Sequence, residues 1–232
     1  MADANALLLV FTHPGDALPI EEYHGWYEDE HIPLRMVIPD FKTCSRLVAA
    51  DGEKPTWAAT YDLTSVDSIK TDAYKKLGTD RSEREKSVLA KMEYLERRIY
   101  RLNIAAPVTV SDEYVGHKEG MILVIVSISI PPEHESEFHR WYDEEHVPLL
   151  RKVPGWLRTR RFILEDSGAA GALKGTEGFK PPPKFLAMHE YADDQGLSGP
   201  EWKAAVSTPW RDKIFENVQG FERRILKVYK TF

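Results

Sequence analysis

The chain has 232 residues, of which 42% are hydrophobic and 11% aromatic, a composition that excludes a protein disordered throughout. The formal charge of −6 at pH 7 provides no basic surface for nucleic acid or an anionic membrane, so neither is an expected partner. The one cysteine, Cys44, excludes an intrachain disulfide and is typical of a reducing compartment, so we expect a cytoplasmic protein.

Hydrophobic periodicity predicts the same order of elements in each half of the chain. In the first half, strands are predicted over 7–12, 43–49, 56–62 and 95–105. A helix is predicted over 19–36, between the first two strands, and a helical stretch over 65–92, between the last two. The second half predicts the same six elements, over 121–130, 133–152, 157–164, 184–191, 198–216 and 221–231. The order βαββαβ is that of a ferredoxin-like unit. The first strand is apolar at nearly every position, which predicts burial on both faces and two sheets facing each other in one α+β barrel.

The two halves also repeat in sequence. Residues 20–35 read IEEYHGWYEDEHIPLR and residues 135–150 read ESEFHRWYDEEHVPLL, at an offset of 115 that also aligns the runs 7–12 and 122–127. A tandem duplication explains these ordered matches and predicts domains at 1–112 and 113–232. The Gly-, Ala- and Pro-rich segment 167–183 has no counterpart of its length and predicts no regular element. It is either a lid over the second cavity or a passive insertion.

One face of the first helix carries polar groups where a plain core would have only aliphatic ones. At 100° per residue this face comprises Ile20, Tyr23, His24, Tyr27, His31 and Leu34, with Trp26 at its edge. The second helix repeats it with Phe138, His139, Tyr142, His146 and Leu149, and with Trp141 at the edge. Because unpartnered buried polar groups cost free energy, the pattern predicts a cavity in each half. Histidines hydrogen-bonded within an ordinary core are the alternative.

General acid–base catalysis is the chemistry that such cavities would support. Imidazole titrates near neutral pH, and a phenol donates a hydrogen bond to a developing oxyanion. We therefore predict His31 and His146 as acid–base residues, with Tyr27 and Tyr142 stabilising an enolate. The predicted substrate-binding residues are His24, His139, Trp26, Trp141, Tyr23, Phe138, Arg46 and Arg161. The two arginines are equally well explained as surface ion pairs.

A metal site is the main alternative for the histidines. His24, Glu28 and His31 stand at i, i+4 and i+7, and His139, Asp143 and His146 repeat that spacing. Haem is a further alternative. The chain has no HExxH pair, cysteine cluster, P-loop or GxGxxG motif, so we expect a protein that needs no metal or cofactor.

The motif WYxxEHxP stands at Trp26–Pro33 and again at Trp141–Pro148. It resembles the EthD-type family of dimeric α+β barrel proteins. The resemblance implies two ferredoxin-like units, and a fused pseudo-dimer where ordinary members are single units that dimerise; a further homodimer is possible. The family's Pro-Gly is kept as Pro154-Gly155 but is Pro39-Asp40 in the first half, so the two sites need not be equivalent.

The resemblance narrows the expected activity only partly. Relatives in the superfamily include cofactor-free monooxygenases of aromatic polyketides, cyclases, isomerases, dehydratases and haem-binding members. Tandem versions resemble proteins encoded beside secondary-metabolite enzymes. We expect a cofactor-independent lyase, isomerase, cyclase or dehydratase acting on a small, hydrophobic, oxygenated substrate of polyketide type. A cofactor-free monooxygenase and a non-catalytic ligand-binding protein are the alternatives.

Overall fold

The computed structural model describes residues 4–170 and 181–232. These residues form two compact units that are discontinuous in sequence. The first unit comprises 4–102, 164–170, 181 and 229–232, and the second comprises 103–163 and 182–228. In the described part of the chain, no helix is long and apolar enough to cross a membrane. The predicted division between 112 and 113 stays a prediction.

The first unit is an antiparallel sheet with helices, in the order β4-β1-β3-β2. Its strands are β1 (Ala6–His13), β2 (Phe41–Ala49), β3 (Trp57–Leu63) and β4 (Tyr94–Leu102). Its helices are α1 (Ile20–Trp26), α2 (Ile32–Met36), α3 (Asp72–Thr79) and α4 (Glu83–Lys91), with a 3-10 turn at Val66–Lys70. Leu7, Leu8 and Leu9 of β1 are all at most 1% exposed, as predicted for a strand buried on both faces.

The second unit repeats this plan, with the sheet order β9-β6-β8-β7-β5. Its strands are β5 (Thr109–Val110), β6 (Ile122–Ser129), β7 (Trp156–Ala170), β8 (Phe185–Tyr191) and β9 (Gly220–Thr231). Its helices are α5 (Glu135–Trp141), α6 (Val147–Leu150), α7 (Pro200–Ala205) and α8 (Pro209–Phe215), with 3-10 turns at Pro132–His134 and Gln195–Ser198. The predicted α+β fold class, two ferredoxin-like βαββαβ units, is confirmed.

A π-helical turn interrupts the first helix of each unit, at Tyr27–His31 and at Tyr142–His146. The Ile32 amide bonds the Tyr27 carbonyl five residues back, where an α-helix bonds four back. Pro33 follows at the start of α2 and has no backbone N–H to donate. Because the π turn ends just before it, the proline lies in the first turn of α2, where a missing N–H is tolerated. The helical backbone therefore continues through Pro33.

The π turn also changes which residues the helix buries. Ile20 and Leu34, predicted on the inward face, are 39% and 43% exposed. Trp26, predicted at the edge, is fully buried, and its ring lies 4.4 Å from that of His31. A π turn has more residues per turn than an α-helix, so positions beyond it, such as Leu34, rotate away from those predicted at 100° per residue. Ile20 and Trp26 precede the π turn, and Ile20 is the first residue of α1.

Strand pairing corrects the predicted repeat offset for the first strands. Leu8 pairs with Tyr61 and Ile99, whereas Val124 pairs with His189 and Ile225. Leu8 and Val124 are thus equivalent, one residue beyond the predicted offset of 115. A run that is apolar at every position has no alternation to fix its register, so sequence matching slips there.

The segment predicted to lack regular structure begins inside a strand. Residues 167–170 continue β7, which runs to Ala170 and contributes 164–170 to the first unit. The prediction of an irregular segment starting at 167 is therefore wrong for these four residues. Residues 171–180 of this segment lie outside the described residues, and residues 181–183 form no regular element, as predicted.

Candidate active sites

The second unit contains a cavity of about 230 Å³ beside its π turn. Three of the predicted site residues, Trp141, Tyr142 and His146, lie in its wall. The other lining residues are Val126, Ile128, Leu150, His189, Trp202, Val206, Arg211, Phe215, Phe221 and Arg223. Most of these side chains are apolar, so the cavity suits a hydrophobic ligand.

Hydrogen bonding and packing fix the tautomer and the orientation of the His146 ring. Its Nδ1 lies 3.1 Å from the carbonyl oxygen of Ala205, which can only accept, so Nδ1–H donates and Nε2 is unprotonated. The ring stacks on Trp141 at 4.4 Å and is 9% exposed. Burial lowers the pKa of His146 to about 4, although the hydrogen bond to Ala205 opposes the shift. The imidazole is therefore neutral at pH 7 and available as a base.

A second histidine in this wall, His189, was not predicted from the sequence. It lies on β8 with its ring 6.0 Å from that of His146, and its Nδ1 is 3.0 Å from Thr159 Oγ1. Its Nε2 is buried and has no hydrogen-bond partner among the described residues. Burial holds the pKa of His189 well below its usual range. In the sequence, the feature that could have indicated His189 is a histidine within the strand FLAMHEY, all of whose residues are buried.

The first unit has its own cavity, of about 320 Å³, in which His31 lies. Glu85 of α4 accepts a hydrogen bond from His31 Nδ1 at 3.2 Å, and both side chains are buried. Burial lowers the pKa of His31 well below 6.5, and the nearby Arg35 and Arg81 guanidinium groups add to the effect. Both equivalent histidines therefore have an unprotonated Nε2. Nδ1 bonds the Glu85 carboxylate in His31 and the Ala205 carbonyl in His146.

The two predicted tyrosines lie in different surroundings. Burial raises the pKa of Tyr142 well above its usual value, so its phenol is protonated and lines the second-unit cavity. Burial also raises the pKa of Tyr27, but this ring lies 4.7 Å from the Arg46 guanidinium and is not part of the cavity wall around His31. Of these two tyrosines, Tyr142 lines a cavity and Tyr27 does not.

Arg46 is a buried structural centre of the first unit. Its side chain is 0% exposed, which contradicts the alternative of a surface ion pair. Nη1 lies 2.8 Å from both His24 Nδ1 and Glu28 Oε1. Four aromatic rings surround the guanidinium at 4.7 to 5.3 Å, those of Tyr23, Tyr27, Trp57 and Tyr229. The predicted binding residues Tyr23, His24 and Arg46 therefore contact one another and do not line the cavity around His31.

This arrangement also decides against the metal alternative for the first helix. His24 Nδ1 accepts from Arg46, whereas His31 bonds Glu85, so the two imidazoles do not converge. Over the described ranges, no three His, Cys, Asp or Glu side chains are grouped as they would be to hold a metal ion.

The equivalent predicted residues of the second unit surround only a small void. Asp143 accepts a hydrogen bond from Arg161, and His139 packs edge-on against Phe185 at 5.0 Å. A void of about 10 Å³ lies here, lined in part by Phe138, His139, Tyr142 and Arg161. It has room for about one water molecule, so these residues form no substrate-sized site in this structure.

Comparison with known sequences identifies one family. Residues 130–216 match the EthD domain model, which places an EthD domain in the second repeat. No curated protein matches the sequence significantly.

Several solved structures share the fold along nearly the whole chain. A provisionally assigned monooxygenase of Fusobacterium nucleatum subsp. nucleatum is 15% identical, with 100% of this chain and 95% of that chain covered and a TM-score of 0.59. An anthrone oxidase-like protein is 14% identical, with 100% and 94% covered and a TM-score of 0.60. A provisionally assigned monooxygenase of Lactobacillus acidophilus is 9% identical, with 98% of each chain covered and a TM-score of 0.52. At these identities the likeness shows the fold alone.

Proposed function

We propose that this protein, whose residues 130–216 match the EthD domain model, is a cofactor-independent enzyme that moves a proton on a small hydrophobic carbonyl compound. The observation that carries the proposal is the state of His146. This histidine is neutral, lies in the wall of an apolar cavity and has its Nδ1 proton committed to Ala205. Such a ring accepts a proton only at Nε2, which is the property required of a general base.

The reaction follows from the groups in this wall. Nε2 of His146 takes a proton from a carbon that is next to the substrate carbonyl or conjugated with it, and the C–H electron pair moves to form an enolate. The Tyr142 phenol, which stays protonated, donates a hydrogen bond to the enolate oxygen. Return of the proton from His146 to another carbon gives an isomer. Loss of a hydroxyl group from the next carbon, with that proton leaving as water, gives a dehydration.

Deuterium exchange tests the proton transfer without knowledge of the natural substrate. Anthrone, a tricyclic ketone with an acidic methylene, is incubated with the full-length protein in deuterium oxide without oxygen and followed by mass spectrometry. We expect His146→Gln to lower the catalysed exchange rate by about 10²-fold or more, the usual contribution of a positioned base. His134→Gln, in the 3-10 turn before α5, is the matched control and should leave the rate unchanged. Equal exchange by wild type and His146→Gln would refute the assignment.

A cofactor-free monooxygenase is the second candidate, favoured by the apolar wall around two neutral histidines. The fold neighbours named as monooxygenase and anthrone oxidase-like agree with it. After the same deprotonation, the carbanion would transfer electrons to O₂, so that anthrone and O₂ give anthraquinone and water. An oxygen electrode separates the candidates, because this reaction consumes one O₂ per anthrone and isomerisation consumes none. Tight binding with neither exchange nor oxygen uptake would instead indicate a ligand-binding protein.

A further inference from the structure

We propose that the cavity of the first unit binds a small organic anion, through the arginines around His31. This inference concerns binding by the first unit and stands independently of the reaction proposed for the second. Arg35, Arg81 and Arg97 line the cavity, and Glu85 is the one acidic residue among its described lining residues. A groove of about 250 Å³ contains the same four side chains and adds Lys75.

The positive charges of this wall are only partly neutralised within the protein. Glu85 accepts from His31, and Asp166 lies 3.3 Å from Arg97. Arg35 donates from Nη1 to the main-chain oxygen of His31, which carries no charge. Arg81 makes no ion pair or hydrogen bond to another described residue. Each guanidinium has five N–H donors, so at least Arg35 and Arg81 retain donors for a ligand.

The apolar part of the wall fits the rest of such a ligand. Leu8, Val10, Leu89 and Leu95 line the cavity together with the rings of Tyr61 and Tyr74. Guanidinium groups bind carboxylate and phosphate oxygens in pairs, as two parallel hydrogen bonds. The chemistry therefore suits a carboxylate or phosphate ester with an apolar body.

The second unit has different residues at the positions equivalent to Arg35 and Glu85. At the offset of 115, Leu150 takes the place of Arg35. Thr208 caps α8 by accepting from the Arg211 amide, as Ser82 caps α4 by accepting from the Glu85 amide, so Arg211 takes the place of Glu85. Arg211 lies over the Phe215 ring at 3.9 Å and donates to Asp212. Arg223 also lines the second cavity, with its guanidinium over the Trp202 ring at 5.5 Å. Both cavities therefore contain arginines, and the first is distinguished by having three of them together with Glu85.

Three naphthalene probes of equal body size test the proposal: 2-naphthoate, 2-naphthyl phosphate and neutral 2-naphthamide. Fluorescence titration of the full-length protein should give at least one anion a Kd at least tenfold lower than that of the amide. The preferred anion identifies the headgroup. Affinity for the anion should also fall as salt is raised, because the attraction is electrostatic. Equal affinity for the amide and both anions would overturn the proposal.

Substitutions then locate the binding. Arg81 is exposed, so Arg81→Gln should fold normally and weaken anion binding at least fivefold while leaving amide binding unchanged. Arg35→Gln is a second, independent variant with the same expected effect. Arg211→Gln in the second unit is the control and should leave anion affinity unchanged. If Arg211→Gln weakens anion binding and Arg81→Gln and Arg35→Gln do not, the anion binds in the other cavity and the proposal fails.

Discussion

At the scale of single residues, the same side chain has different roles in the two repeats because its partner differs. His31 bonds a carboxylate and His146 bonds a main-chain carbonyl, although both follow the same Trp-Tyr motif. Arg46, which has the appearance of a substrate-binding arginine in the sequence, instead bonds His24 and Glu28 inside an aromatic cage. The partner, and not the residue type, decides between a structural and a chemical role.

The buried contacts of Arg46 predict that lysine cannot replace it. A lysine ammonium retains the charge but lacks the planar guanidinium that packs among four aromatic rings while its Nη1 bonds both His24 and Glu28. We expect Arg46→Lys to lower the free energy of unfolding by about 2 kcal/mol or more, since the charge stays buried with fewer partners. Urea denaturation measures the change. Arg140→Lys, at an exposed position, is the control and should change stability by less than about 0.5 kcal/mol. An Arg46→Lys protein as stable as wild type would contradict this account.

At the scale of elements, two features place the sites: the π turns and the extension of β7. Each π turn brings Trp and His rings into contact five positions apart, as in Trp26–His31 and Trp141–His146. The extension brings Gly168 and Ala169 into the wall of the first-unit cavity, although most of β7 belongs to the second unit. One long strand therefore contributes to both units.

The extension of β7 provides a steric test of the first cavity. Among the described residues, no heavy atom lies within 4 Å of a Cβ placed on Gly168, so a side chain meets no clash with this part of the chain. Gly168→Leu should occupy part of the cavity and weaken binding of the preferred naphthalene anion at least fivefold. Gly168→Ala should have a smaller effect, and neither variant should alter anthrone exchange, which we assign to the second unit. Unchanged anion affinity in Gly168→Leu would remove this strand from the site.

At the scale of the whole molecule, buried ionisable groups make the fold sensitive to acid. Burial lowers the pKa of His31, His146 and His189 in the folded state, so each takes up a proton more readily when unfolded. Glu190 is also buried, and the charges of Arg158 and His117 hold its pKa far below its usual range. Protonation of all four groups therefore favours the unfolded chain.

Because protonation favours the unfolded chain, the free energy of unfolding should decrease over a defined range of acid pH. Stability should be constant from pH 8 to about 7 and should decrease as pH falls below the unfolded histidine pKa of about 6.5. His146, with a folded pKa of about 4, accounts for up to about 3 kcal/mol of that loss by pH 4. The loss from Glu190 begins near pH 4.5 and continues below it. Urea midpoints measured between pH 8 and 4 test this, and His146→Gln should reduce the slope between pH 6.5 and 4. A midpoint independent of pH over that range would contradict it.

The sequence predicted much of the candidate sites but not the contacts that define them. The duplicated helix motif led to His31, His146, Trp141 and Tyr142, all of which line a cavity or support one. Glu85 was missed because its contact with His31 joins residues 54 positions apart, and a glutamate on a short helix normally faces solvent. Hydrogen bonds of that range leave no local pattern.

By itself, the sequence determined the duplication, the βαββαβ order of both halves and the burial of the first strands, because periodicity and repeated motifs are local properties. Only the tertiary structure decided the π turns, the repeat register of β1 and β6, the caging of Arg46 and the presence of His189 in a cavity wall. Each of these depends on packing between elements distant in sequence. That packing also gives the equivalent histidines different partners, the Glu85 carboxylate in one repeat and the Ala205 carbonyl in the other.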